Sequence, residues 1–156
     1  MPISLEEARK LPQEKVHEEY ARKLREIGEN LGFSVQGLKT PLGLLDCVWR
    51  LNVPIPKISR ELPVVAFEVV CSEDQKALKG SMLNLLASSP SLAIFVLVRE
   101  EIKKHPRAHT EPDKWLKRIE RFVNKLRNSY SGALRTVIWN ENDVDDLYDQ
   151  VKKKEV

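Results

Sequence analysis

The chain has 156 residues, enough for one domain with a buried core and no need of disulfide or metal staples. Apolar residues make up 42% and charged residues 31%, a globular balance that excludes a collagen-like, disordered or membrane-spanning protein. Twenty-six Lys and Arg against 23 Asp and Glu give a net charge of +3, which permits a nucleic-acid partner and shifts the question to where the charges cluster.

Ser4 and Glu7 form a capping-box pattern for a short first helix, which Pro12 is expected to interrupt. A longer helix over residues 13–30 follows, with Val16, Tyr20, Leu24, Ile27 and Leu31 on its apolar face and Gly32 as its C-cap. Residues 33–35 read as a short strand, and Gly37, Pro41 and Gly43 as turn positions. Residues 44–51 (LLDCVWRL) and 64–71 (VVAFEVVC) are strand candidates, separated by a connection that Pro54, Pro56 and Pro63 keep irregular. A helix is expected over 73–88. The near-continuous apolar run at 92–98 (LAIFVLV) predicts a central strand covered on both faces. Residues 99–112 read as a charged loop, 113–130 as a helix stopped by Gly132, and 134–139 as a last strand. Asn140 or Asn142 caps a final helix carrying Val144, Leu147, Tyr148 and Val151. The alternation predicts an α/β fold, a central mixed sheet flanked by helices, in a single domain over 1–156.

Two cysteines, Cys47 and Cys71, without a CxxC or Cys/His set, read as core thiols and point to a reducing, cytoplasmic compartment. The N-terminus, MPISLEEARK, is charged early and carries no apolar signal core, and no apolar run approaches the ~18–20 residues of a membrane span.

Chemistry enters at Glu68. It stands inside PVVAFEVV, and a carboxylate buried without compensation costs several kcal/mol. A cation, backbone donors, a raised pKa or a bound metal can compensate it. Asp46, inside GLLDCVWRL, poses the same question one strand earlier. If the two strands pair antiparallel, both carboxylates project from one face, which suits a hard cation such as Mg²⁺. The plain alternative is a structural acid bonded to an Arg or to backbone amides. Lys79, at the margin of the stripe Leu78, Met82, Leu85 and Leu86, is placed to snorkel toward the end of the sheet, whereas Lys76 lies further round. On DKWLKRIERFVNKLRNSY, Lys114, Lys117, Arg118, Arg121 and Lys125 share one face, and Trp115, Ile119, Phe122, Val123 and Leu126 the opposite one. Such a stripe can follow nucleic-acid phosphates; it is equally an ordinary solvated helix face. His105 and His109 read as loop residues, and no P-loop, dinucleotide fingerprint or GxSxG elbow occurs.

The order helix, strand with Asp46, strand with Glu68, helix, apolar strand resembles the PD-(D/E)XK nuclease superfamily, the restriction-endonuclease-like fold. The strings that carry the resemblance are GLLDCVW (43–49), VAFEVV (65–70) and KGSMLNL (79–85). The resemblance implies a restriction-endonuclease-like core. It also implies Mg²⁺ (or Mn²⁺) held by Asp46 and Glu68, and a metal-dependent nuclease hydrolysing phosphodiester bonds in DNA. The family's strand lysine is replaced by Val70, and Lys79 takes its place as the catalytic candidate, with Lys76 second. Glu19 is the first-helix acid assigned to assist the metal, with Glu18 and His17 as alternatives. DNA is the implied partner and a homodimer an assembly it allows. The rivals are a catalytically inactive module of the same fold that binds nucleic acid or a protein, and a structural α/β protein whose buried acids are ion-paired.

Overall fold

A computed structural model of the chain describes residues 5–35, 39–40, 43–57 and 61–154, with side chains from residue 14 onward apart from those of residues 39 and 40. Ser4, Gly37 and Pro41 lie outside the described residues.

The first element, α1 (Leu5–Asn30), is one helix and passes through Pro12, which was expected to break it. A proline removes one helix hydrogen bond and crowds the carbonyl four residues back; that perturbs a helix without having to end it. Gly32, at φ +91°, terminates α1: its N–H donates to the Glu29 carbonyl at 3.0 Å, and that of Phe33 to Gly28 at 2.9 Å, the Schellman arrangement. Leu24 and Ile27 are fully buried, but Leu31, expected on the same face, is 51% exposed because the chain has already left the helix there.

A small antiparallel pair, β1 (Lys39–Thr40) with β2 (Gly43–Leu44), precedes the main sheet. The strand expected over 44–51 is therefore split: Asp46 sits in a bend between β2 and β3 (Cys47–Leu51) rather than inside a strand. Residues 33–35 contribute only a single bridge, Ser34 to Arg50. Next come β4 (Leu62–Val70), α2 (Gln75–Ser88), with Asp74 capping its N-terminus, and β5 (Leu92–Leu97). The segment expected as a loop at 99–112 holds a short helix, α3 (Arg99–Ile102), and a 3₁₀ turn (Pro106–Ala108), which bury Ile102 and Ala108 against the core. After α4 (Pro112–Ser129) and β6 (Thr136–Asn140), Asn140 closes a capping box onto α5 (Glu141–Lys153).

The sheet order is β3-β4-β5-β6; β3 is antiparallel to β4, and β4, β5 and β6 run parallel. The fold is α/β, a central mixed sheet flanked by helices, as expected. Period-2 alternation sorts its core into two layers. Val48, Ala66, Val70, Phe95 and Leu97 face α2 and α4, whose Leu78, Met82, Leu85, Ile119 and Val123 complete that layer. Cys47, Trp49, Phe67, Val69, Ile94 and Val96 face α1 and α5. Gly28 lets α1 close on the sheet: a Cβ there would stand 2.5 Å from the Trp49 ring. Trp49 in turn donates its indole N–H to the Leu24 carbonyl at 2.8 Å.

Candidate functional site

In the antiparallel ladder Cys47 faces Phe67, so one step back along β3 brings Asp46 opposite Glu68. The bend at Asp46 turns its carboxylate onto β4, where Oδ2 accepts the backbone N–H of Val69 at 2.7 Å. The side chain thus extends the ladder past the strand's own end. The other oxygen, Oδ1, lies 3.2 Å from His17 Nε2 on α1. Glu68 is 8% exposed and takes the Asn84 amide of α2 on Oε1 at 3.3 Å.

The electrostatics separate the two acids. Burial pushes Asp46 upward, but hydrogen bonds from His17, Glu68 and the Val69 N–H outweigh it and hold the carboxyl below its ordinary value. Glu68 goes the other way: burial, the Asp46 charge and the hydrogen bond to Asp46 raise it well above the ordinary carboxyl range, against the opposing Asn84 bond. Of the two carboxyls, Glu68 is therefore the one that holds a proton more tightly. The hydrogen bond to Asp46 raises His17 despite the cost of burial.

A fourth group completes the cluster. Glu73, in the turn between β4 and α2, accepts the Cys71 N–H at 2.6 Å, and burial raises its pKa. Asp46 and His17 both act on it electrostatically. Beside Glu68 opens a cavity of about 360 Å³, walled by Gly43, Leu44, Gly80, Ser81 and Asn84.

Of the expected site residues, Asp46 and Glu68 come together. Glu19 does not join them; its nearest charged partner is Lys23 at 3.9 Å, while Glu18 pairs with Arg25, and His17 is the α1 residue that reaches Asp46. Lys79 and Lys76 are both exposed. Lys79 stands about 140° around the helix from Asn84, so α2 turns an amide and Ser81, not an ammonium, toward the acids. Val70, where the resemblance would place a lysine, is 2% exposed and packed in the core. The expected face division of α4 holds: Trp115, Ile119, Val123 and Leu126 are buried, and Lys114, Lys117, Arg118, Arg121 and Lys125 are exposed.

Asn84 and Glu73 were missed. Asn84 is a polar residue inside the apolar run MLNLL, the same signal that singled out Glu68, carried by a helix instead of a strand. Glu73 lies where a parallel strand hands over to its helix, a common place for a site.

Two adjacent hard-oxygen carboxylates suit Mg²⁺, which commonly takes one or two carboxylates and keeps several waters. Among the described residues no set of three or more His, Cys, Asp or Glu is placed to hold a metal ion, so the remaining ligands would be water or substrate. Among them, too, no helix is long and apolar enough to cross a membrane. Comparison of the chain with protein-family models, with curated proteins and with solved structures returns no match.

Proposed function

We propose that the chain is a metal-dependent nuclease of the PD-(D/E)XK type, hydrolysing phosphodiester bonds in DNA. The observation that carries this reading is the meeting of Asp46 and Glu68 at the head of an antiparallel strand pair, with Asp46 bonded to the backbone of the strand that carries Glu68. The order of α1, the acid-bearing hairpin, α2 and a parallel strand supports the restriction-endonuclease-like core. Mg²⁺, when bound, supplies charge neutralisation for the phosphate and acidifies water. The chain supplies the rest. Asp46 is pre-oriented by His17 and the Val69 N–H, Asn84 steadies Glu68, and the two carboxylates, once both ionised, would hold the cation. Charge distribution favours a polyanion on this side: α2 and α4, which share the sheet face of Glu68, carry eight Lys and Arg against two acids. The opposite helices, α1 and α5, carry twelve acids against eight Lys and Arg. With the reading go a cytoplasmic setting, which the two free buried cysteines support, and a homodimer, checked by sedimentation.

A second reading, a non-catalytic module of this fold that binds nucleic acid or a protein, draws on Val70 and on a cavity whose described walls hold no Lys or Arg. Cleavage assays with Mn²⁺ and Mg²⁺ on plasmid, branched and single-stranded DNA separate the two, with Glu68→Gln as the control. Cleavage by the wild type alone upholds the nuclease. No cleavage, together with no divalent binding by calorimetry, ends the nuclease reading; DNA binding by the same protein then separates the module from a structural protein with ion-paired acids.

A further inference from the structure

The basic stripe of α4 does not act as a line of independent charges. At its N-terminal end it bends around a cleft of about 280 Å³ whose walls include Arg107, Thr110, Lys114, Trp115, Arg118 and Arg121. Arg107 belongs to the 3₁₀ turn, so the cleft gathers cations from two elements far apart in the stripe pattern. The arrangement is fixed through one ring. The Arg118 guanidinium lies 5.8 Å from the Trp115 ring centroid. His105 stacks on the same ring at 4.7 Å with an 18° tilt, and its Nδ1 accepts the Arg107 backbone N–H at 3.0 Å. The Arg118 guanidinium and the Arg107 backbone are thereby tied to a common buried support. The acid in the cleft, Glu111, is engaged by Lys114 at 3.4 Å, which leaves Arg107, Arg118, Arg121 and Thr110 lining a small concave volume; Arg121 spends its Nε on the Lys117 carbonyl at 3.3 Å. Guanidiniums match phosphate oxygens as two-pronged donors, and the positive end of α4 adds to the field.

The ligand class follows from what is missing as well as what is present. All ten aromatic side chains of the sequence are described, and every one is buried or half-buried. None stands out to stack on a base, the usual means of holding single strands by their bases. We propose that this cleft binds one phosphoryl group of a nucleic-acid strand, anchoring the backbone away from Asp46 and Glu68 and without reading base sequence. The inference rests on the nucleic-acid part of the proposed function and not on cleavage.

It is tested in EDTA, where no metal chemistry intervenes, by fluorescence anisotropy with 3′-labelled DNA duplexes of two unrelated sequences, each with a 5′-phosphate or a 5′-hydroxyl. Arg118→Ala/Arg121→Ala should weaken binding on the order of tenfold or more and lower the salt slope by about two, because each lost phosphate contact removes about 0.9 from it. Arg118→Lys/Arg121→Lys, which keeps the charge and packing, controls for folding and should recover part of the affinity. Lys153→Ala, an exposed charge on α5, should change nothing. A preference for the 5′-phosphate that the double Ala variant abolishes assigns the cleft to a strand end. Equal binding of the two ends, lost equally in that variant, assigns it to an internal phosphodiester. Wild-type affinity and salt slope in the double Ala variant, or no DNA binding by the wild type, overturns the proposal. Cleavage that survives in a variant with unaltered binding would sink the anchor and spare the nuclease; binding lost in the variant, with no cleavage by any form, would do the reverse.

Discussion

The side chain of Asp46 accepts the backbone N–H of Val69 at 2.7 Å, one residue beyond Glu68. One acid is thus locked to the strand that carries the other, and neither can leave without disturbing the hairpin. A pair held this way is built to stay close despite its charge, and a proton held on Glu68 lowers the repulsion in the metal-free protein.

Replacing the ionisable Glu68 should stabilise the metal-free protein at high pH. Glu68 and His17 both have raised pKa values in the folded protein. Each binds more protons folded than unfolded over a window starting at its unfolded pKa, about 4.5 for Glu68 and about 6.5 for His17. Stability from both is full below those values and is lost as pH rises through the folded ones. Glu68→Gln takes away the Glu68 share. Its Tm should exceed that of the wild type by several degrees at pH 8.5, roughly 1–2 kcal/mol, and by much less at pH 5. Calorimetric melts in EDTA at the two pH values check this; a pH-independent difference would refute the raised Glu68 pKa.

Much of this pair was legible in the sequence, because a carboxylate among Val, Ala and Phe is costly wherever it sits. The antiparallel pairing that faces the two acids stood only as a condition, because the irregular connection carrying Pro54 and Pro56 does not itself dictate how the strands pair. What the local pattern did not contain was the third dimension. Lys79 and Asn84 both lie on α2, and only the packing of that helix on β4 decides which flank meets Glu68. The choice of His17 over Glu19 likewise depends on the roll of α1, set by Leu24, Ile27 and the close approach at Gly28. The segment 99–112 reads as a loop for a related reason: its charges and Pro106 are local breakers, and the burial of Ile102 and Ala108 against the core outweighs them.

The placement of Lys79 gives a kinetic expectation. If cleavage is observed, Lys79→Ala should leave the single-turnover rate within about twofold, since an exposed lysine on the far flank makes no contact to lose. Asn84→Ala should slow it more, by roughly tenfold, through a freed Glu68 carboxyl; an equal effect at both positions would contradict the geometry.

Divalent binding should release a proton. The cation needs both carboxylates ionised, and Glu68 holds its proton more tightly than an ordinary carboxyl, so Mn²⁺ affinity should rise with pH. Titration calorimetry in two buffers of different ionisation enthalpy should show net proton release on Mn²⁺ binding, and no binding for Glu68→Gln. Buffer-independent heats would mean that the cation goes elsewhere.

A matched pair of glycines tests the packing that positions α1. Both Gly28 and Gly80 lie inside helices, where Ala is ordinarily favoured by about 0.5–1 kcal/mol. At Gly80 nothing lies within 4 Å of an added Cβ, so Gly80→Ala should raise stability by about that amount. At Gly28 the same methyl would meet Trp49 at 2.5 Å and Val35 at 2.7 Å. Trp49 cannot yield cheaply, because its indole is hydrogen-bonded to Leu24 and its ring is stacked on Phe33 at 5.6 Å. Gly28→Ala should therefore cost about 1–3 kcal/mol through overpacking. Since α1 also carries His17, its displacement should loosen the contact to Asp46 at the same time. The His17 pKa, followed by NMR, should then move back toward its unperturbed value in Gly28→Ala and stay put in Gly80→Ala. Equal stability changes for the two variants would refute the close approach of α1 to the sheet.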